Sequence, residues 1–210
     1  MTIKALTASI GGLSNPSKMP GFSYGIPAAA CKIGAILRKL AGSVCEVCYA
    51  FKGMYVFPVV KAAQAKRLAI LTGNMEQWES NMIALLVLKY RKKTGDDRVF
   101  RWHDAGDLQS MAHLKAIVNI AHAIPTLLFW IPTKEYNLIR SWGSEFPSNL
   151  TVRISAPMVG ETLPSLPGTV GSTVGAGKGY PCPAYTQDGE CGDCRACWDN
   201  SVELVDYPKH

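Results

Sequence analysis

The stretch 98–155 alternates strand and helix with short joins, and few folds accept that order. Arg98-Val99-Phe100-Arg101-Trp102-His103 alternates and is rich in aromatics, which predicts a strand. Met111, Leu114, Ile117, Val118 and Ala121 recur at helical spacing. Residues 126–131 form a continuous apolar run between Pro125 and Pro132, the pattern of a strand covered on both faces. Leu138, Ile139 and Trp142 mark a further helix, with Thr133 as its N-cap, and 150–155 reads as another strand. Right-handed crossovers between such strands give a parallel sheet carrying helices. The expected fold is therefore α/β, a partial parallel β/α barrel or an open parallel sheet. Ligand sites in such sheets gather beyond the carboxyl ends of the strands, which here are 103–107, 133–135 and 155–158.

What flanks this core reads differently. Residues 1–30 are rich in Gly, Pro and Ser and predict an extended arm with a short strand at 3–10. Two helices are expected at 59–71 and 76–92, broken by Thr72-Gly73-Asn74. The first puts Lys61, Gln64, Lys66 and Arg67 on a polar side. The net charge of +6 draws on basic runs at 61–67 and 89–93, which read as solvated helix faces rather than a nucleic-acid site. Residues 160–181 read as loop. Within it, Gly175-Ala176-Gly177-Lys178-Gly179 fails as a phosphate loop, because Ser172 and Gly179 stand where Gly and Ser or Thr are required. The whole is expected to be one domain: an arm and cysteine loop at 1–58, an α/β core at 59–158, and a loop and tail at 159–210.

The chemistry lies in seven cysteines, which fall in two groups at the two ends. The start has no apolar signal segment, and the longest apolar run, from Met82 to Leu88, is far below the roughly 20 residues of a membrane span. A cytoplasmic protein is expected, and there clustered cysteines are metal ligands or redox groups rather than disulfides. Cys182, Cys191, Cys194 and Cys197 suffice for one thiolate site. Their tight run favours iron–sulfur over zinc, whose structural sites split their ligands into separated pairs. Cys31, Cys45 and Cys48 number one too few to close a 4Fe–4S cluster, leaving one iron open to a small molecule. After the strand at 98–103 comes Asp104-Ala105-Gly106-Asp107. Ala105 and Gly106 allow close backbone approach, and Asp107 offers a carboxylate either to an ammonium group or as the cap of a helix starting near Leu108. His103 reads as a ligand or acid–base group, or as a satisfied core histidine. His113 and His122 read as solvated, and Tyr49 and Tyr55 as packed over a cluster.

A cysteine loop leading through helices to a strand and a small-residue acidic turn resembles the radical S-adenosylmethionine enzymes. That resemblance implies an open-iron cluster that binds S-adenosylmethionine, with Asp107 holding its amine. Those enzymes use C-x3-C-x2-C, whereas this chain has C-x13-C-x2-C. Ser23-Tyr24-Gly25-Ile26-Pro27-Ala28, Cys45-Glu46-Val47-Cys48-Tyr49-Ala50, Lys52-Gly53-Met54-Tyr55, the turn 103–107 and the ending 191–198 resemble the bacteriophage "gene product 88" family. The resemblance implies a phage protein acting in the host cytoplasm and carries no established reaction. The expected function is thus iron–sulfur cluster binding with one or two 4Fe–4S clusters, extending to a radical-type enzyme. The alternatives are an electron-transfer or structural iron–sulfur protein and a zinc-stapled nucleic-acid module.

Overall fold

The computed structural model describes residues 1–209. Its strands are β1 (Phe22–Tyr24), β2 (Val99–Trp102), β3 (Leu128–Thr133), β4 (Leu150–Ser155), β5 (Val170–Val174), β6 (Tyr180–Pro181) and β7 (Leu204–Tyr207). All pair in parallel, in the order β1-β2-β3-β4-β5-β7-β6. Strand order follows chain order until the last exchange. That is the winding of a barrel segment, but the sheet is open, with β1 and β6 at its edges. The expectation of a parallel α/β sheet holds at this level.

The helices are α1 (Ile3–Ser9), α2 (Ile33–Leu37), α3 (Pro58–Gly73), α4 (Met75–Tyr90), α5 (Met111–Ala123) and α6 (Tyr136–Arg140). Alternation along each strand divides the sheet into two faces. Phe100, Trp102, Phe129, Ile131, Leu150, Val152 and Ile154 join Leu6, Trp78, Met82, Leu85, Leu114 and Ile117 in the main core. The opposite face carries Val99, Trp130 and Val205, and among the described residues the helices of the main core pack on the other side. The C-terminal segment covers this opposite face: Trp198 meets Trp130 edge-on at 5.2 Å and donates its indole N–H to the Phe100 carbonyl at 2.9 Å.

Several expectations need correction. The expected strand at 3–10 is instead helix α1 with Ile10 at its C-terminal end: the Thr2 side chain caps it by accepting from Ala5 N, and Leu6 and Ile10, four apart, enter the core. The arm also supplies edge strand β1. The 160–181 loop contains β5 and β6. The Gly-rich turn there is closed by the chain itself, since the Asp206 carboxylate accepts from Ala176 N at 3.1 Å and Gly177 N at 2.8 Å. Thr133 is not the cap of α6. It ends β3, and its hydroxyl accepts from Glu135 N at 3.0 Å. The helix after β2 starts at Met111, capped by Ser110, so Asp107 caps nothing. Gln64 and Arg67 are buried rather than on a solvated face, whereas Lys61 and Lys66 are exposed.

His113 is fully buried against Trp78 and His103, contrary to a solvated reading, while His122 is exposed. Burial lowers the His113 pKa to about 3, and its Nδ1 accepts from Gln109 N at 3.3 Å. The unfolded chain protonates near 6.5, so the neutral imidazole contributes stability that is complete above that pH. It is lost as pH falls from about 6.5 toward 3, at about 1.4 kcal/mol per pH unit. His113→Phe should therefore flatten the stability–pH curve across that window. Denaturation midpoints that stay parallel for both proteins from pH 7 to pH 4 would refute this.

Gly106 shows why small residues stand in the turn after β2. Its φ is +86°, and a Cβ there would lie 2.3 Å from Ile26 Cγ1 and 2.8 Å from the Ile26 carbonyl oxygen. Gly106→Ala should cost about 1–3 kcal/mol from the backbone conformation, and more from the clash. An unchanged urea midpoint would contradict that.

Candidate metal centre

The N-terminal cysteine loop lies over the carboxyl ends of β2, β3 and β4. Val44 N donates to the Pro157 carbonyl and Val159 N to the Gly42 carbonyl, each near 3 Å, which ties the loop to the end of β4. Ile33 N donates to Glu135 Oε1 at 3.0 Å, which ties it to the end of β3. Lys32 Nζ reaches the Gln109 carbonyl at 2.7 Å, after the end of β2. The gap between Cys31 and Cys45, long in sequence, is short in space because α2 folds the loop back on itself.

Gly34 sits inside that fold. A Cβ on it would lie 3.0 Å from Cys31 Cβ, 3.7 Å from Cys31 Sγ and 3.8 Å from Cys45 Sγ. The two sulfurs thus flank one small space that a side chain would fill. Cys48 joins them through a tight turn in which its N–H donates to the Cys45 carbonyl at 3.2 Å. Burial pushes the Cys31 thiol up to about 12, helped by the charges of Asp107, Cys48, Cys45 and Glu135. Cys45 is raised by burial, with Lys134 opposing. The three thiols therefore form one electrostatic group.

Beneath them Asp107 is committed to the protein. Its Oδ1 accepts from Leu108 N and Thr133 Oγ1, each at 2.7 Å, and its Oδ2 from Lys134 N at 2.9 Å. Burial raises its pKa to about 6 against these hydrogen bonds. It works as a clasp between the ends of β2 and β3. Neighbouring His103 is 2% exposed, has φ +54° and has no partner for either ring nitrogen. Strain of this kind in a non-glycine residue concentrates at functional sites.

Tyr49, half exposed, and Tyr55, partly buried, both turn their hydroxyls onto Asp104. Both donate to its backbone oxygen, at 2.6 Å and 3.3 Å, and Tyr55 also reaches Oδ2 at 3.2 Å. Asp104 and Arg101 belong to no metal-ligand or catalytic motif of the sequence. Arg101 Nη2 donates to Tyr49 OH at 3.1 Å, and its guanidinium lies 4.5 Å from the centre of the Trp130 ring. The only sequence signal was their place at the end of an alternating strand.

The second group lies on the tail-covered face. Cys194 N donates to the Cys191 carbonyl at 3.0 Å, the same turn as Cys45–Cys48, and Gly192 takes φ +51° within it. Cys197 is buried, 3.2 Å from Tyr207 OH, and burial pushes its thiol up to about 11. Cys182 and Cys194 both raise Cys191, and Cys182 raises Cys197, so these four also form a group. The Arg101 charge opposes the rise of the Cys191 and Cys197 pKa values, and its guanidinium also donates to Tyr49.

All seven cysteines are free thiols. Among the described residues, no three His, Cys, Asp or Glu side chains are placed to hold a single metal ion. The donor chemistry, and the convergence of the Cys31 and Cys45 sulfurs beside Gly34, fit a thiolate-held cluster, whose several irons spread their ligands wider than one ion does. Among the described residues, no helix is long and apolar enough to cross a membrane.

No curated protein and no solved structure matches this chain. The family model of Gene product 88 matches residues 2–167. The matched stretch holds Cys31, Cys45 and Cys48, the turn 103–107 and strands β1 to β4, and it stops short of the C-terminal cysteines. Covering most of the 210 residues, it shows that the chain belongs to the Gene product 88 family.

Proposed function

We propose that this is an iron–sulfur protein acting in the host cytoplasm, with an open-iron 4Fe–4S cluster on Cys31, Cys45 and Cys48. A second thiolate site lies on Cys182, Cys191, Cys194 and Cys197. The observation that carries the reading is that the Cys31 and Cys45 sulfurs converge within 4 Å of one point, the Cβ position of Gly34, at the carboxyl end of a parallel sheet. Such a cluster supplies a one-electron couple and a free coordination position, where S-adenosylmethionine is the cofactor this reading names. The protein's part is to position. Asp107 holds Thr133 and Lys134 under the loop, Ala105 and Gly106 let the arm approach closely at Ile26, and Glu135 anchors Ile33 beside Cys31.

A second reading, an electron-transfer protein, is favoured by Arg101, which donates to Tyr49, the residue after Cys48, and whose charge opposes the rise of the Cys191 pKa. The test is iron and acid-labile sulfide analysis of anaerobically purified protein, followed by electron paramagnetic resonance of the reduced form with and without S-adenosylmethionine. Iron with matching sulfide and a signal shifted by S-adenosylmethionine supports the first reading. Iron with no shift supports electron transfer, and stoichiometric zinc without sulfide overturns both.

A further inference from the structure

Arg67 on α3 and Asp104 after β2 are each only 6% exposed. They carry opposite charges and sense each other, because Asp104 holds the Arg67 pKa up against the lowering caused by burial. Yet they do not touch: among the described residues the one ion pair within 4.0 Å is Lys93–Asp97. Both line the same pocket of about 210 Å³, together with Gln64, Ser14, Val59, Val60 and Ala63. Arg67 Nη1 donates to Ser14 Oγ at 2.8 Å and to the Gly25 carbonyl at 3.2 Å, while its buried Nε has no partner. Asp104 accepts from Ser23 Oγ and Tyr55 OH, which leaves part of a carboxylate's accepting capacity unused. Gly25 is required for this placement, since a Cβ there would lie 2.4 Å from Asp104 Oδ1.

Two buried charges held apart lose hydration without gaining a direct ion pair. A ligand with complementary ends restores both interactions. We propose that this pocket binds an α-amino-acid headgroup, its carboxylate on the Arg67 guanidinium and its ammonium on Asp104. A guanidinium favours a carboxylate through paired, charge-assisted hydrogen bonds. Val59, Val60 and Ala63 supply an apolar wall for the ligand's side chain, and Gln64 a polar edge. The net charge of the two anchors is zero, which matches a zwitterion and opposes a simple anion. The pocket is smaller than the roughly 300–1,000 Å³ typical of drug-sized ligands, as an amino acid requires. The headgroup comes from a free amino acid or from the methionyl end of S-adenosylmethionine. Tyr55 connects Asp104 to the cysteine loop, so the second source would join this pocket to the proposed metal centre. The headgroup site itself rests on the pocket and not on metal binding.

Isothermal titration of the anaerobically purified full chain, with L-methionine and S-adenosylmethionine as separate titrants, tests this. Saturable binding of L-methionine is expected, weakened at least tenfold in Arg67→Met and in Ala63→Phe, which fills the pocket, and retained in Cys48→Ala. Binding of S-adenosylmethionine alone, with the same variant pattern, assigns the larger source. No binding of either titrant overturns the proposal. So does undiminished binding in folded Ala63→Phe, a variant that decides the matter if Arg67→Met does not fold. Binding lost in Cys48→Ala but kept in Ala63→Phe would also overturn it, while leaving the metal-centre reading intact.

Discussion

Arg153→Met should destabilise the protein by roughly 3–5 kcal/mol and release the C-terminal segment from the sheet. Arg153 projects from β4 toward the tail and is fully buried. Its Nη1 donates to the Gly171 carbonyl at 2.6 Å. Its Nη2 serves the carbonyls of Ala196, Asp199 and Val202 at 3.0, 3.2 and 3.1 Å. These acceptors bracket Cys197 and Trp198, so one guanidinium fixes the turn that holds the cysteines. Burial lowers the Arg153 pKa, which measures what enclosing the charge costs. Met matches the aliphatic stem and removes that cost, an effect that by itself favours the variant. Against it, several buried carbonyls lose their donor, at about 1–3 kcal/mol each, and the second effect is larger. Arg153→Lys should be nearly as damaging, because an ammonium cannot reach in a planar fork to β5 and the tail together. Urea denaturation gives the magnitude, and limited proteolysis should cleave near 196–202 first. A shift below about 1 kcal/mol, or protection of the tail, would show that the Trp198–Trp130 contact alone holds the segment.

The sequence made the central elements legible because their periods are clean. The aromatic alternation at Arg98–His103 and the apolar run before Pro132 both became sheet strands, and the helical spacing at Met111–Ala121 became α5. What stayed hidden depended on partners distant in the chain. Strand β1 has only three residues and is a strand because Phe22, Ser23 and Tyr24 pair with β2, far along the sequence. Strand β5 reads as loop because Gly171, Ser172 and Thr173 lack apolar bulk. Gly171 is small because a Cβ would lie 2.8 Å from Leu163 Cδ1 and 3.0 Å from Leu204 Cδ1. Helix α1 carried its own signal, a Thr2 cap with Leu6 and Ile10 four apart, but Gly11-Gly12 and the prolines beyond it obscured the pattern. Buried polar residues were the other gap. Arg67 and His113 occupy core-facing helix positions, and composition assigns such residue types to solvent unless a buried partner is known.

Single cysteine losses should reveal two independent metal sites. Cys48→Ala should remove the iron of the N-terminal site and leave that of the tail, and Cys194→Ala should do the reverse, with the double variant losing both. The reasoning is spatial. Cys31, Cys45 and Cys48 are held at the carboxyl ends of β2 to β4 through Pro157, Glu135 and Gln109. The tail cysteines are held on the sheet face through Arg153, Tyr207 and Lys18, whose carbonyl accepts from Cys191 N at 3.0 Å. Cys45 and Cys48 help raise the Cys31 pKa and Cys48 that of Cys45, while Cys182 and Cys194 help raise Cys191, and no tail cysteine is among the causes at Cys31 or Cys45. Sites with separate ligands and no shared contacts contribute additively. Stability should divide differently from metal content. The tail has little core of its own, so metal binding there is coupled to its folding, and Cys194→Ala should lower the thermal midpoint more than Cys48→Ala. Loss of all iron from either single variant would mean that the two ends pool their ligands at one cluster. Arg101, which donates to Tyr49 and whose charge is felt at Cys191, would then mark where the ends meet.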